Sequence, residues 1–216
     1  YRDMVEMNRM PSSLSNHIAV LVGNLAMAAT AIYGEDPANP TLEPWLSGIL
    51  AKMKRFMDRT YYPDGGYGEP VTYQDMATRD LIEGLDALER NFGIDYATTT
   101  SIKDSWKYPL QAAFTNGRYP DFGDVSHYYG FTGPSFMWFA HRLKNPYAYD
   151  FVRKAFDAGR GGILGWLWYT TGIEPKPRTE LPASKLFPVK GNMVMRSSWD
   201  DEGSVLVFRC GPNSNH

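Results

Sequence analysis

The sequence predicts a mainly α fold with β: helical hairpins through most of its length, then antiparallel strands. Three observations carry this. Apolar residues recur at helical spacing as far as about residue 170. A stretch holding three prolines follows, Gly172 to Pro182, and reads as a linker. Beyond it the apolar period changes to two, the spacing of a half-buried strand.

Each element has its own signals. The first helix is predicted over Ser15 to Tyr33, capped by Ser13 or Ser15, with Ile18, Leu21, Val22, Leu25 and Ala29 on one stripe. Ala26, Ala28, Ala29 and Ala31 let a second helix approach closely, and Gly34 with Asp36-Pro37 stops the run. The second helix, Leu42 to Thr60, carries Trp45, Leu46, Ile49, Leu50, Met53, Phe56 and Met57. "YYPDGGYGEPVTY", Tyr61 to Tyr73, is too rich in Gly and Pro for a regular element and reads as an ordered loop. The third helix runs from Val71 to Phe92 and stops at Gly93, and a shorter one is expected near Ile102 to Phe114. Thr115 to Pro134 is a second long loop. Helices are then expected over Pro134 to Leu143, Tyr147 to Ala158 and Ile163 to Thr170. Three strands follow, Lys185 to Val189, Asn192 to Trp199 and Ser204 to Cys210, the last two joined by Asp200-Asp201-Glu202-Gly203.

Three strands are too few for a finished sandwich, and a sheet cut there has an open edge. The expected organisation is therefore an incomplete (α/α) toroid of helical hairpins over residues 1–171, a linker over 172–183, and the first strands of an antiparallel β-sandwich over 184–216. The sequence is expected to be a fragment of a larger protein, since Tyr1-Arg2-Asp3-Met4 does not resemble a native start and the chain stops just after a strand.

Composition narrows function. The net charge of −2, without a basic stripe, argues against nucleic acid. The sequence contains no run of eighteen apolar residues and no signal peptide, so no membrane span is expected. One cysteine, Cys210, excludes an internal disulfide and a cysteine-based zinc site. The 14 Tyr, 11 Phe and 6 Trp supply core, and they also suit a carbohydrate cleft, where flat rings stack on sugar C–H faces.

Four histidines are present. His141 lies in the aromatic helix "FMWFAHRLK" and reads as structural, and His127 reads as a solvated loop residue. His17 follows Asn16 at the first helix start. The plain reading is an N-terminal turn residue. The alternative is a polar pair at a positive helix end that favours an anion. Tyr73 opens the third helix after the glycine-rich loop, where the same field stabilises a phenolate.

Taken together, "SNHIAV", "YYPDGGYGEPVTY" and "GNMVMRSSWDDEGSVLVFRCGPNSNH" resemble the heparinase II/III-like polysaccharide lyases, which include heparin and heparan lyases and oligoalginate lyases. The resemblance covers most of the chain and is most specific at "DGGYGEPVTY" and at "MRSSW…FRCGP…NH". It implies a toroid followed by β-sandwich layers, and β-elimination on a uronate-containing glycan. It also implies roles. Asn16 and His17 neutralise the substrate carboxylate, Tyr73 exchanges protons, and His216 completes the site from the sandwich, beside Asn215. A structural zinc is implied on residues beyond the last one, with no cofactor on residues present. An acidic polysaccharide partner and a bacterial periplasmic or secreted location are implied as well. Where relatives carry Glu-Gly, this chain has Glu69-Pro70, so Glu69 reads either as a helix-start carboxylate or as a substrate contact. Arg118, Tyr119 and Arg79 are candidate subsite contacts or plain surface residues, Arg being suited to carboxylate or sulfate by its fork geometry.

The residue types fit the chemistry. Abstracting the C5 proton of a uronate builds negative charge beside an existing carboxylate, so donors on that carboxylate lower the barrier. A base then takes the proton and an acid protonates O4. Rival readings are a uronate C5-epimerase of the dermatan-sulfate-epimerase type, an (α/α)-barrel glycoside hydrolase using two of Asp64, Glu69, Asp121 and Asp124, and a non-catalytic glycan-binding protein.

Overall fold

The computed structural model describes residues 15–36, 38–121, 133–159 and 161–211. His127, Asp124, Asn215 and His216 lie outside the described residues. The helices are α1 (Asn16–Glu35), α2 (Leu42–Thr60), α3 (Val71–Phe92), α4 (Tyr96–Thr99), α5 (Lys107–Ala112), α6 (Gly133–Leu143), α7 (Pro146–Asp157) and α8 (Gly162–Leu167). Short 3-10 turns cover Ser101–Asp104 and Arg178–Glu180. The strands are β1 (Lys185–Phe187), β2 (Asn192–Arg196) and β3 (Val205–Arg209).

Helix α1 packs against both α2 and α3, and its contact with α3 decides the arrangement. At Gly23 an added Cβ would lie 2.2 Å from the Asp80 carbonyl oxygen, and at Gly84 one would lie 2.7 Å from the Gly23 carbonyl oxygen. The two backbones therefore touch where neither residue has a side chain. Asn16 meets Glu69, just before α3, while Gly23 meets Asp80 and Gly84 further along. The helices are thus parallel, with both N-termini at one end. Helix α6 follows the same direction along α3: Ser135 bonds Asp75, Trp138 bonds Asp86, and Arg142 pairs with Glu89. Asp86 also accepts from the indole of Trp168 beyond α8, at 2.5 Å. The core between the helices holds Val22, Ile49, Met53, Phe56, Leu81, Leu85, Phe136 and Phe139.

By length and composition, Asn16–Tyr33 is apolar enough to cross a membrane. Its apolar side is spent on the helical core, where Ala19, Val22 and Ala26 are fully buried.

The sheet is antiparallel in the order β1-β2-β3, with Lys185 opposite Val194 and Arg196 opposite Val205. Phe187 and Val194 are fully buried on the helix side, while Leu186, Leu206 and Phe208 stand exposed on the other. Phe187 meets Tyr108 of α5 edge to face at 5.1 Å.

Helix α4 was not expected, and several boundaries shift by one to three residues; three differences have a clear local reason. The run expected over Ile102 to Phe114 is a 3-10 turn followed by α5. Pro109 lacks an N–H and its ring would strike the carbonyl of Ser105 in a continuous helix, so the helix restarts at Lys107. Strand β1 stops at Phe187 because Pro188 cannot extend the ladder. Strand β2 stops at Arg196, whose side chain turns into the helices: Nη2 donates to the carbonyls of Gln111 and Ala113, both at 2.6 Å. The 172–182 stretch lies along the helices, with Lys176 N–H on the Pro146 carbonyl and Arg178 on that of Ala113.

The close approach of α1 and α3 is directly testable. Gly23→Ala forces the backbones apart and is expected to destabilise the protein by about 1–3 kcal/mol in denaturant unfolding.

Candidate active site

The site is organised by the 61–70 loop. The loop folds back on itself: Tyr61 bridges to Tyr67, Tyr62 N–H reaches the Gly66 carbonyl at 3.0 Å, and Gly68 N–H reaches that of Thr60 at 3.0 Å. Gly65 takes φ +90°, and a Cβ there would sit 2.7 Å from the Asp104 carbonyl oxygen, so only glycine fits. Asp64 holds the turn with one oxygen and the sheet with the other. Oδ1 accepts Gly66 N–H at 2.8 Å, and Oδ2 accepts Val189 N–H at 3.2 Å.

Glu69 follows, 2% exposed. Its Oε2 accepts the backbone N–H of Asn16 at 2.9 Å. It is therefore a helix-start carboxylate, but for α1 rather than for the α3 it precedes in sequence. A carboxylate at that position satisfies an orphan N–H and meets the positive end of the helix dipole. Tyr67 and Tyr61 are buried near Glu69. Burial pushes the Tyr67 hydroxyl well above its usual range, with Tyr61 and Glu69 adding to the shift. Tyr61 is raised as well, chiefly by burial, and shares a 3.0 Å hydrogen bond with Thr78.

Asn16 is 1% exposed, and neither Nδ2 nor Oδ1 has a hydrogen-bond partner among the described residues. The residues preceding α1 and α3, Ser15 and Pro70, make no side-chain cap bond, and neither helix has an acid in its first turn. An unsatisfied buried amide costs on the order of 1–3 kcal/mol. It sits where two parallel helices present their positive ends, an arrangement suited to an anion.

The remaining sequence-derived residues are distributed as follows. Tyr73 is half-buried in the first turn of α3, at the same end as Asn16. His17 is exposed on the first turn of α1. Arg79 lies further along α3, 4.0 Å from the carboxylate of its neighbour Asp80, and is not gathered with Asn16. Arg118 and Tyr119 line a groove of about 490 Å³ between the 114–121 loop and β3, with Phe114, Asp121 and Val207. Arg118 is exposed, and Tyr119 is buried with its hydroxyl raised by burial and by Asp75. Asp64 and Glu69 both accept backbone N–H groups.

Sequence reasoning missed the sheet's contribution. Lys190, in the β1–β2 turn, is 2% exposed. Burial, with a smaller push from Arg209, lowers its value to about 8 against the opposing pull of Glu69. The turn is fastened to the end of β3, where Cys210 N–H reaches the Gly191 carbonyl at 2.8 Å. Among the described residues no three His, Cys, Asp or Glu side chains converge on a metal position.

No family model matches, and no curated protein matches. Among solved structures, the heparan sulfate lyase HepC from Pedobacter heparinus aligns with 89% of this chain at TM-score 0.58 and 15% identity. A mutant of that enzyme aligns over the same share at TM-score 0.59 and 16% identity. The chain shares the fold of these heparan sulfate lyases. It spans 28% of the length of each. The helical arrangement followed by antiparallel strands, read from the sequence, is met at the level of fold.

Two measurements probe the loop. Asp64→Ala removes the acceptor for two backbone N–H groups and is expected to cost about 1–3 kcal/mol in thermal or denaturant unfolding. Lys190 has its value lowered from 10.5 to about 8, so between those values the unfolded chain binds more protons. Its contribution to stability therefore rises with pH across that window. Thermal midpoints of wild type and Lys190→Met, compared from pH 8 to 10.5, should show wild type gaining on the variant.

Proposed function

We propose that this chain belongs to a polysaccharide lyase that cleaves a uronate-containing glycan by β-elimination. The observation that carries the reading is the buried amide of Asn16, without a hydrogen-bond partner among the described residues, at the shared N-terminal end of α1 and α3. A substrate carboxylate would supply its missing acceptor. The fold shared with enzymes that act on heparan sulfate supports the same substrate class, an acidic glycan.

In the proposed reaction Asn16, with His17 on the adjacent position, donates to the uronate carboxylate and spreads the charge that develops when C5 loses its proton. A dry amide is effective here because it needs no solvent rearrangement as charge builds. Substrate entry has to uncover it. Tyr73 exchanges protons at the reacting bond, first as the acid that protonates O4. A tyrosine with an ordinary pKa of about 10 serves as base only beside positive charge, and the joint helix ends and His216 are the proposed source. The C5–H and C4–O4 bonds break, a C4–C5 double bond forms, and water enters neither product. The groove lined by Arg118 and Tyr119 is proposed to hold a neighbouring sugar. Arg79 and Asn215 are kept as outer contacts on the resemblance alone, as is the periplasmic or secreted location.

The test is incubation of the full-length protein with a panel of uronate glycans, products read by ultraviolet absorbance and mass. The expected result is a conjugated 4,5-unsaturated uronate. Tyr73→Phe is expected to lower kcat by about 10²- to 10⁴-fold. Asn16→Ala is expected to lower kcat by roughly 10²- to 10³-fold. Saturated products would replace this reading with hydrolysis, and inverted C5 without chain cleavage would replace it with epimerisation.

A further inference from the structure

Helix α2 turns its apolar stripe inward, with Leu46, Ile49, Met53, Phe56 and Met57 buried. Its outer side is cationic. Between Ala51 and Arg59 stand Lys52, Lys54, Arg55 and Arg59 against Asp58 alone, on a chain whose net charge is −2. Lys54 and Asp58 lie one turn apart and pair at 2.6 Å, each about half exposed. That is how a solvated helix face ordinarily uses the spacing. Arg55 and Arg59 share the spacing and are exposed, and neither pairs with a carboxylate among the described residues. Like charges one turn apart destabilise a helix, so this pair of guanidinium groups works against the fold. The helix dipole gives a reason for Arg59, in the last turn, but none for Arg55. Both line a depression of about 300 Å³, at the small end of the range for ligand pockets. Leu50, Ala51 and the half-buried Tyr96, which opens α4, line it with them.

We propose that this depression is a second binding site, apart from the candidate active site, for an anionic sugar unit. A sulfate or carboxylate on the sugar is held by Arg55 and Arg59, and the C–H face of the ring lies on Tyr96. Two guanidinium groups separated by a rise of about 6 Å present their donors on one side of the helix. The fork of each matches the oxygens of either anion. The aromatic ring and the apolar side chains beside the arginines are of no use to a free inorganic ion; they call for a ligand with a C–H face. A basic patch this small, on a chain of net charge −2, suits one charged sugar better than the phosphate ladder of a nucleic acid. None of the lining residues comes from the end of α1 and α3 that presents Asn16 and Tyr73. The site therefore holds a glycan without acting on it. Its ligand class rests on the lyase reading, whereas the anion-binding pair rests on the surface of α2.

The test is calorimetric binding at low salt to the full-length protein carrying Tyr73→Phe, so that no chain is cut. The probes are a heparin-derived oligosaccharide, an unsulfated polyuronate oligosaccharide and inorganic sulfate. At least one oligosaccharide is expected to bind at two independent sites per chain. Arg55→Ala with Arg59→Ala is expected to weaken one of those sites by about three- to tenfold. Lys154→Ala with Lys176→Ala removes the same charge from other exposed positions and is expected to leave both sites unchanged. Tyr96→Leu keeps apolar bulk and loses the ring; it is expected to weaken the oligosaccharide and leave inorganic sulfate as it was. Losing the two arginines is expected to hold or raise the thermal midpoint, because it relieves like-charge repulsion. Arginine dependence for the heparin probe alone assigns sulfate as the anion, and for both oligosaccharides assigns either anion. Equal losses in the two paired variants, no loss in the arginine variant, or a loss accompanied by a lower midpoint overturns the site. Tyr96→Leu without effect on any oligosaccharide, or arginine dependence for inorganic sulfate only, overturns the sugar assignment. Unsaturated product from wild type without arginine-dependent binding removes this site and leaves the lyase reading standing; arginine-dependent binding without unsaturated product does the reverse.

Discussion

The arrangement depends on one contact, the meeting of two helix backbones at Gly23 and Gly84. Helices separated by ordinary side chains sit 8–10 Å apart. Here the carbonyl of Gly23 occupies the space that a Cβ on Gly84 would need. That closeness brings the first turn of α1 beside the residues that open α3. Only then does the carboxylate of Glu69 reach the N–H of Asn16, fifty-three residues away in sequence. The core aromatics fill the space around this contact, but any apolar residues of suitable volume would do that. The glycines set the distance.

The same geometry places a buried carboxylate and a buried amide at one helix end. Glu69 accepts a backbone N–H, whereas the Asn16 side chain is left without a protein partner among the described residues. Stability favours satisfied polar groups. Under the proposed reading the site binds an anion, which is a reason to leave one donor open beside helix dipoles that cost no side-chain ordering.

How much of this is legible in the sequence follows from range. The three long helices are written in local periodicity and in stop signals such as Gly93, and the model places them within a few residues of expectation. The alternation of Phe187, Val194 and Val207 against Leu186, Leu206 and Phe208 reads directly as one covered and one open face. Pro109 was visible too, and its meaning for the expected helix over Ile102 to Phe114 is a matter of the missing N–H. The pairings that build the site are not local. Nothing near Glu69 says that it caps α1, and nothing in "FPVKGN" distinguishes a buried lysine from a solvated one. The one available signal was the position of Lys190 between a proline and a glycine, on a turn too short to let a side chain of its length choose freely. Asn16, Tyr73, Arg118 and Tyr119 were singled out from the residues and from family resemblance. The model sets Asn16 and Tyr73 at one helix end and the other two in a groove near β3.

Helix α3 also carries Asp86, which holds the indoles of Trp138 and Trp168 on its two oxygens. Thirteen residues of helix separate Asp86 from Tyr73, about 20 Å of stiff rod. A rod of that length is a lever: a tilt of about 5° at the tryptophan end swings the phenol by nearly 2 Å, and a misplacement of about 1 Å is enough to lose a hundredfold in rate. Aromatic packing at Asp86 therefore tunes where the Tyr73 phenol stands, and under the proposed lyase reading substitutions at the two tryptophans belong with those that alter turnover.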